Sequence, residues 1–160
     1  MSSKIEKLIP NKLAVYLWKV LPIPKYIRSK IMWLTNDRFL VAVLGLITNE
    51  KDEILLLKHT YRSEPWGIPS GWIRYEDPLK GLEREVKEET GFVVQVQKVR
   101  KVQHVPKPHR IDIYCEGSFI DGSFEKSPEI SDFGFYPSNR LPEGMPKGQI
   151  ELIKEYLEIK

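Results

Sequence analysis

Apolar residues recur along the chain with two different periods, and the changes between them mark the elements. Over residues 4–20, Ile5, Leu8, Ile9, Leu13, Leu17 and Val20 follow helical spacing, with Pro10 at a break or at the first turn of a second segment. Pro22 and Pro24 interrupt the pattern, and Tyr26, Ile27, Ile31 and Leu34 resume it over residues 25–34. The run FLVAVLGLI at 39–47 is continuously apolar and rich in branched side chains, which predicts a buried strand. The turn cluster Asn49-Glu50-Lys51-Asp52 follows, then a second strand over 54–57, most simply paired with the first as a hairpin.

Beyond these, the pattern predicts a loop through Trp66 and Pro69, a short extended piece at Trp72 and Ile73, and a helix over 78–90. The helix ends are clearly signalled: Asp77 suits the N-cap, Pro78 the first helical position and Gly91 the left-handed stop. Strands are expected over 93–105, 111–120 and 133–136, and a closing helix over 147–157. Strands fill the middle of the chain and helices flank them, which is an α+β arrangement and not a regular βαβ alternation.

Composition narrows the class. With 160 residues, 41% apolar and 29% charged, the chain matches an ordinary globular domain and not a membrane span, a collagen-like repeat or a disordered segment. A chain this long buries roughly 70% of its unfolded surface and folds without disulfides. Cys115 is the only cysteine, so no intrachain disulfide forms, no paired Cys/His zinc spacing occurs, and a reducing, cytoplasmic setting is expected. The net charge of +3 is too small to argue for nucleic-acid binding, and no DNA partner is expected.

That charge is unevenly spread. Residues 1–36 carry Lys4, Lys7, Lys12, Lys19, Lys25, Arg28 and Lys30 against Glu6 alone, leaving the remainder mildly acidic. The apolar run at 13–17 is too short and too interrupted to span a bilayer, and no secretory cleavage site is visible. Tyr16, Trp18, Tyr26 and Trp33 among these lysines suit an RNA end or an anionic membrane surface. A segment that folds back on its own domain, or on the second subunit of a homodimer, is the simpler reading.

Candidate chemistry concentrates on the helix at 78–90. At 100° per residue Leu79, Leu82 and Val86 form one stripe toward the core, while Lys80, Glu83 and Lys87 point to water. Glu85, Glu88 and Glu89 crowd one face, with Gly81 on the same side a turn earlier. Like charges at these spacings cost a few tenths of a kcal/mol per pair, unless a cation is shared between them. An all-oxygen set favours Mg²⁺ or Mn²⁺ over Zn²⁺, and such ions also bind phosphate oxygens. Arg84 lies beside this face, where its guanidinium can orient a carboxylate.

Residues 71–92, GWIRYEDPLKGLEREVKEETGF, resemble the box of the Nudix hydrolase (MutT-like) family, written G-x5-E-x7-R-E-U-x-E-E-x-G-U with U bulky and aliphatic. Arg84, Glu85, Val86, Glu88, Glu89 and Gly91 match its core, Glu76 its first glutamate and Phe92 its last apolar place; Trp66 and Pro69 resemble the W-x-x-P that precedes it. Two departures stand out: four residues, not five, separate Gly71 from Glu76, and Ser70 occupies the usual glycine position. Counting five from Gly71 to Asp77 instead would rotate the glutamates off their shared face, so the missing residue belongs to the loop.

The resemblance implies a Nudix fold, a mixed β-sheet sandwiched between helices, over residues 37–160, preceded by an N-terminal helical extension over 1–36. It implies Mg²⁺-dependent cleavage of a phosphoanhydride in a nucleoside diphosphate linked to another group, such as ADP-ribose, a nucleotide sugar or a nucleoside triphosphate. Carried over, Glu85, Glu89 and the Ser70 carbonyl would be metal ligands, Glu88 a further ligand or the group that orients water, and Arg84 the holder of Glu85. Glu76 would assist from the loop, and Glu129 would be a distant carboxylate acting as ligand or general base. Tyr61, Arg62 and Arg74 border the box and are the candidates for binding a base or a phosphate. A non-catalytic nucleotide-sensing module is the alternative, although such modules usually lose the glutamates that this chain retains.

The remaining reactive residue types read as structural. His59, His104 and His109 lack ligand spacing, Cys115 lies on an alternating strand as a small buried hydrophobe, and Trp66 and Trp72 are expected to pack the loop against the sheet.

Overall fold

The computed structural model describes residues 12, 16 and 19–159 and divides the chain into two compact units, Met1–Phe39 and Leu40–Lys160. In the first unit Lys12, Tyr16, Lys19 and Val20 are helical, and the rest of the helix expected over 4–20 lies outside the described residues. Helix α1, Lys25–Thr35, follows Pro24 without a side-chain cap and buries none of its residues. Arg38 closes over Trp33, its guanidinium 3.7 Å from the ring centroid. Among the described residues no helix is long and apolar enough to cross a membrane.

The second unit contains β1 (Leu40–Thr48), β2 (Ile54–His59), β3 (Trp66–Gly67), β4 (Ser70–Trp72), α2 (Pro78–Thr90), β5 (Val93–Pro106), β6 (His109–Asp121), β7 (Ile130–Tyr136) and α3 (Lys147–Ile159). Among the described residues seven strands form one mixed sheet in the order β3-β2-β1-β6-β5, with β4 on β1 and β7 on β2. Strand β1 runs parallel to β6 along its whole length, from Leu40 opposite Arg110 to Thr48 opposite Ser118. The other pairings are antiparallel.

The apolar run of β1 is continuous because both of its faces are covered. Val43 and Ile47 pack with Leu82 and Val86 of α2, while Ala42, Leu44 and Leu46 pack with Met145, Ile153 and Tyr156 on the α3 side. Helices therefore lie on both faces of the sheet. Gly45 permits the closest approach, since a Cβ there would stand 3.2 Å from a Leu82 methyl. Cys115 is buried in the α2-side core, as its strand alternation predicts.

The expected hairpin forms, but it is short. Strands β1 and β2 pair only at their tip, Thr48 opposite Ile54, and then separate because each finds a longer ladder elsewhere: β1 with β6 and β4, β2 with β7 and β3. The region expected to be only a loop contains the short strand β3, which pairs Gly67 with Leu57 and Trp66 with Lys58.

Helix α2 has the predicted ends. The Asp77 carboxylate accepts from the Leu79 and Lys80 amides, and Gly91 adopts φ +77°. One face differs from expectation: Glu83 does not simply point into water, because its Oε1 accepts from the Val96 amide at 3.1 Å and its Oε2 pairs with Lys80 at 2.7 Å. An edge-strand amide left without a β partner finds this carboxylate instead.

Candidate active site

Where β1 and β2 splay apart, β4 and the loops after β2 and β6 border a cleft of about 700 Å³. Glu85, Glu88 and Glu89 enter it from α2, Glu129 from the β6–β7 loop, Tyr61 and Arg62 from the β2–β3 loop, and Ser70 and Gly71 from β4. Residues separated by almost 70 positions thus line one cleft.

Arg84 organises the carboxylates. Its Nη2 donates to Glu76 Oε1 at 2.6 Å, and its Nη1 lies 2.7 Å from Glu85 Oε1 and donates to Glu88 Oε2 at 3.0 Å. It also donates to the Trp72 carbonyl at 3.3 Å, tying helix to strand. The hydrogen bond from Arg84 holds the Glu76 carboxyl below the usual carboxylate range, and the Glu76 carboxylate in turn strengthens the basicity of Arg84. Glu76 lies against Gly81, whose missing side chain lets the loop rest on the helix.

Glu89 is in a different state. Its Oε2 is buried and has no hydrogen-bond partner. Burial, then the negative charges of Glu85 and Glu129, push its carboxyl up to about 8, with Arg62 opposing. A buried oxygen without a donor costs stability unless something positive reaches it.

Strand β4 supplies the opposite wall. A Cβ on Gly71 would overlap the Glu85 carboxylate, so any side chain there would displace Glu85 from its place against β4. The Pro69 carbonyl accepts from Gly45 at 2.8 Å and the Ile73 amide donates to Val41 at 3.0 Å, while Gly71 pairs with Val43. In an antiparallel ladder this alternation turns the Ser70 and Trp72 carbonyls away from β1. The Trp72 carbonyl meets Arg84, and the Ser70 carbonyl lies one pleat earlier on the same side.

The donors fit a hard divalent cation: an orphaned carboxylate oxygen, Glu85 pressed against a glycine, and an outward main-chain carbonyl, all of them oxygens. The cage is not preassembled, because among the described residues no group of three acidic or histidine side chains already converges as a metal-ligand set. Arg84 engages Glu85 and Glu88.

The other expected residues divide. Glu129 lies in the cleft because its loop is tied to the end of β2, the Thr60 amide donating to the Glu129 carbonyl at 2.9 Å and the Thr60 hydroxyl to Pro128 at 2.8 Å. Arg62 donates to Ser70 Oγ at 3.3 Å and lies 5.6 Å from the Tyr61 ring. Arg74 is a correction: it does not line the cleft but extends over the surface to Glu88 at 3.5 Å, because the loop between Trp72 and Glu76 turns it outward.

Trp72 is a second correction. It does not pack the loop against the sheet; its side chain is 51% exposed and lines the cleft with Arg110 and Asp112. Trp66 does pack, edge-on to Tyr136 at 5.5 Å. Arg110 and Asp112 were not anticipated, although two charges alternating with Ile111, Ile113 and Cys115 mark a second face of β6. His59 is buried with neither ring nitrogen hydrogen-bonded, while His104 and His109 stack at the β5–β6 turn.

Comparison with known proteins agrees with this architecture. A family profile described as NUDIX domain matches residues 38–156. A putative ADP-ribose pyrophosphatase, YjhB, of Bacillus subtilis is 28% identical over 127 residues, 72% of this chain and 60% of the relative. The chain therefore spans less than two thirds of that relative's length. An ADP-ribose pyrophosphatase of Methanocaldococcus jannaschii is 29% identical over 130 residues, 75% of this chain and 74% of the relative. The crystal structure of a NUDIX hydrolase from Nitrosomonas europaea superimposes with a TM-score of 0.69 at 19% identity, covering 78% of this chain and 73% of that one.

Proposed function

The chain belongs to the Nudix family, and on that premise we propose that it is a metal-dependent hydrolase of a nucleoside diphosphate linked to a second group, with ADP-ribose as the first substrate to test. The names of the two relatives support that choice of substrate. The observation that carries the activity is Glu89, a carboxylate with a buried, unpartnered oxygen facing a cleft that Glu85, Glu88 and Glu129 also line.

Glu85, Glu89 and the Ser70 carbonyl are the proposed ligands of Mg²⁺, with Mn²⁺ an acceptable substitute. When bound, such a cation supplies positive charge against the anhydride oxygens and lowers the pKa of water. Arg84 holds Glu85 and Glu88 in place through its forked donors. Glu129, on the facing loop, is the group proposed to accept the proton of the attacking water. Tyr61 and Arg62 line the route by which an anionic substrate enters. Water adds to one phosphorus and the bridging P–O bond breaks, so that ADP-ribose would yield AMP and ribose 5-phosphate.

The test is product analysis with ADP-ribose in millimolar Mg²⁺ for the full chain and for Glu89→Gln. The expected result is AMP release by the parent and a turnover lower by about 10³-fold or more in the variant, in the range of losing a group that stabilises transition-state charge. The melting temperature of the variant should be nearly unchanged, since a carboxyl pushed up to about 8 is largely neutral at pH 7 and the amide keeps its size. Equal turnover in the two proteins would overturn the reading.

A further inference from the structure

We propose that Trp72, Ala42, Asp112 and Arg110 form the subsite that holds the substrate's nucleobase, with Trp72 as the stacking surface and Arg110 as the donor to the base edge. This rests on the proposed nucleotide chemistry of the same cleft.

The four residues meet across three strands. Ala42 is opposite Trp72 on β4 and opposite Asp112 on β6, so the three side chains form one row on one face of the sheet. Arg110 is opposite Leu40, two residues along on that face. The middle of the row carries only a methyl group. The floor beside the indole is therefore shallow, with room for a flat ring.

Two features distinguish this row from ordinary surface. The Trp72 indole is 51% exposed inside a concave site. Arg110 stands over its ring at 5.9 Å from the centroid, at the outer limit of cation–π range, and half of Trp72 stays exposed. Asp112 is a carboxylate only 3% exposed, and such a charge is retained where a partner satisfies it. That partner is Arg110, whose Nε and Nη2 donate to the two Asp112 oxygens at 2.5 and 2.8 Å.

The fork fixes the plane of the guanidinium and engages Nε and Nη2, so that Nη1 is the donor proposed to meet the base. A guanidinium offers donors only, so its ligand must present acceptors, as a nucleobase edge does with ring nitrogens or carbonyls. Asp112 is a positioning residue that acts through Arg110. The carboxylates of α2 lie in the same cleft on the other side of β4, which separates the base from the reacting phosphates.

The test compares AMP, GMP and UMP with ribose 5-phosphate, which lacks a base, by calorimetric titration of the full chain. Trp72→Ala should weaken binding of the nucleotides about tenfold, as expected for loss of a base stacked on an aromatic side chain, while ribose 5-phosphate affinity stays unchanged. Trp72→Phe should restore most of the loss, and Asp112→Asn should weaken the nucleotides by a smaller factor. With ADP-ribose, Trp72→Ala should raise KM far more than it lowers kcat.

If Trp72→Ala does not fold, Trp72→Leu and Arg110→Met carry the same comparison. Equal loss for AMP and ribose 5-phosphate, no loss for any nucleotide, or no nucleotide binding by the folded parent at millimolar concentration overturns the subsite. Base-dependent binding that needs Trp72 in a chain unable to cleave ADP-ribose would uphold the subsite and reject the hydrolysis reading instead.

Discussion

The helix side and the sheet side of the cleft both hold carboxylates, but in opposite electrostatic states. On α2, Glu85 and Glu88 share one guanidinium with Glu76, while Glu89 keeps a buried oxygen that nothing satisfies. On β6, Asp112 is buried as a whole residue, yet both of its oxygens accept from Arg110. The sheet side is complete without a ligand, whereas the helix side has more negative charge than its own residues neutralise. A group meant to recognise is best preorganised, and a group meant to hold a cation must leave its charge uncancelled.

This contrast can be broken most severely at Gly71. Gly71→Ala would place a methyl group into Glu85, and a loss of at least about 10²-fold in kcat/KM is expected for a displaced ligand, measured with ADP-ribose at fixed Mg²⁺. Arg84→Gln would release three carboxylates at once. Because Arg84 is largely covered, about 2 kcal/mol of stability should go with it, seen as a melting temperature lower by about 4–8 °C together with reduced turnover.

The uncancelled charge also predicts a response to metal. Millimolar Mg²⁺ should raise the melting temperature of the parent by about 2–5 °C, the scale of 1–2 kcal/mol of linkage, and should leave Glu89→Gln nearly unmoved. An equal shift in both proteins would relocate the cation away from Glu89.

The effect that is smallest near neutral pH concerns His59, buried edge-on to Tyr61 near Arg62, where burial and then the Arg62 charge bring its pKa down to about 4. The unfolded chain binds the proton near pH 6.5 and the folded chain does not, so stability is complete above that pH and is lost as pH falls from 6.5 to 4. The slope is about 1 kcal/mol per pH unit in mid-window. Denaturant melts of His59→Leu should show a shallower decline than the parent over that window, since the carboxylates common to both cancel.

Most of the carboxylate side was legible beforehand because its geometry is local. Asp77, Pro78 and Gly91 end the helix through short-range hydrogen bonds and backbone preference, and 3.6 residues per turn place Glu85, Glu88 and Glu89 together whatever surrounds them. Arg84 follows from the same periodicity. Arg74 was misjudged because two residues of loop direction decide where a long side chain goes, and periodicity says nothing about loops.

What the order of residues settled on its own was therefore most of the elements, the burial of β1 and the acidic face of α2, since each depends on hydrogen bonds and side-chain spacing within a few residues. The fold alone determined that β1 and β2 separate after one pair, that Glu129 joins the glutamates from 40 residues further along, and that Trp72 and Asp112 flank Ala42. Those juxtapositions depend on which strand edges find partners, a competition among ladders far apart in the chain. No local pattern encodes its outcome.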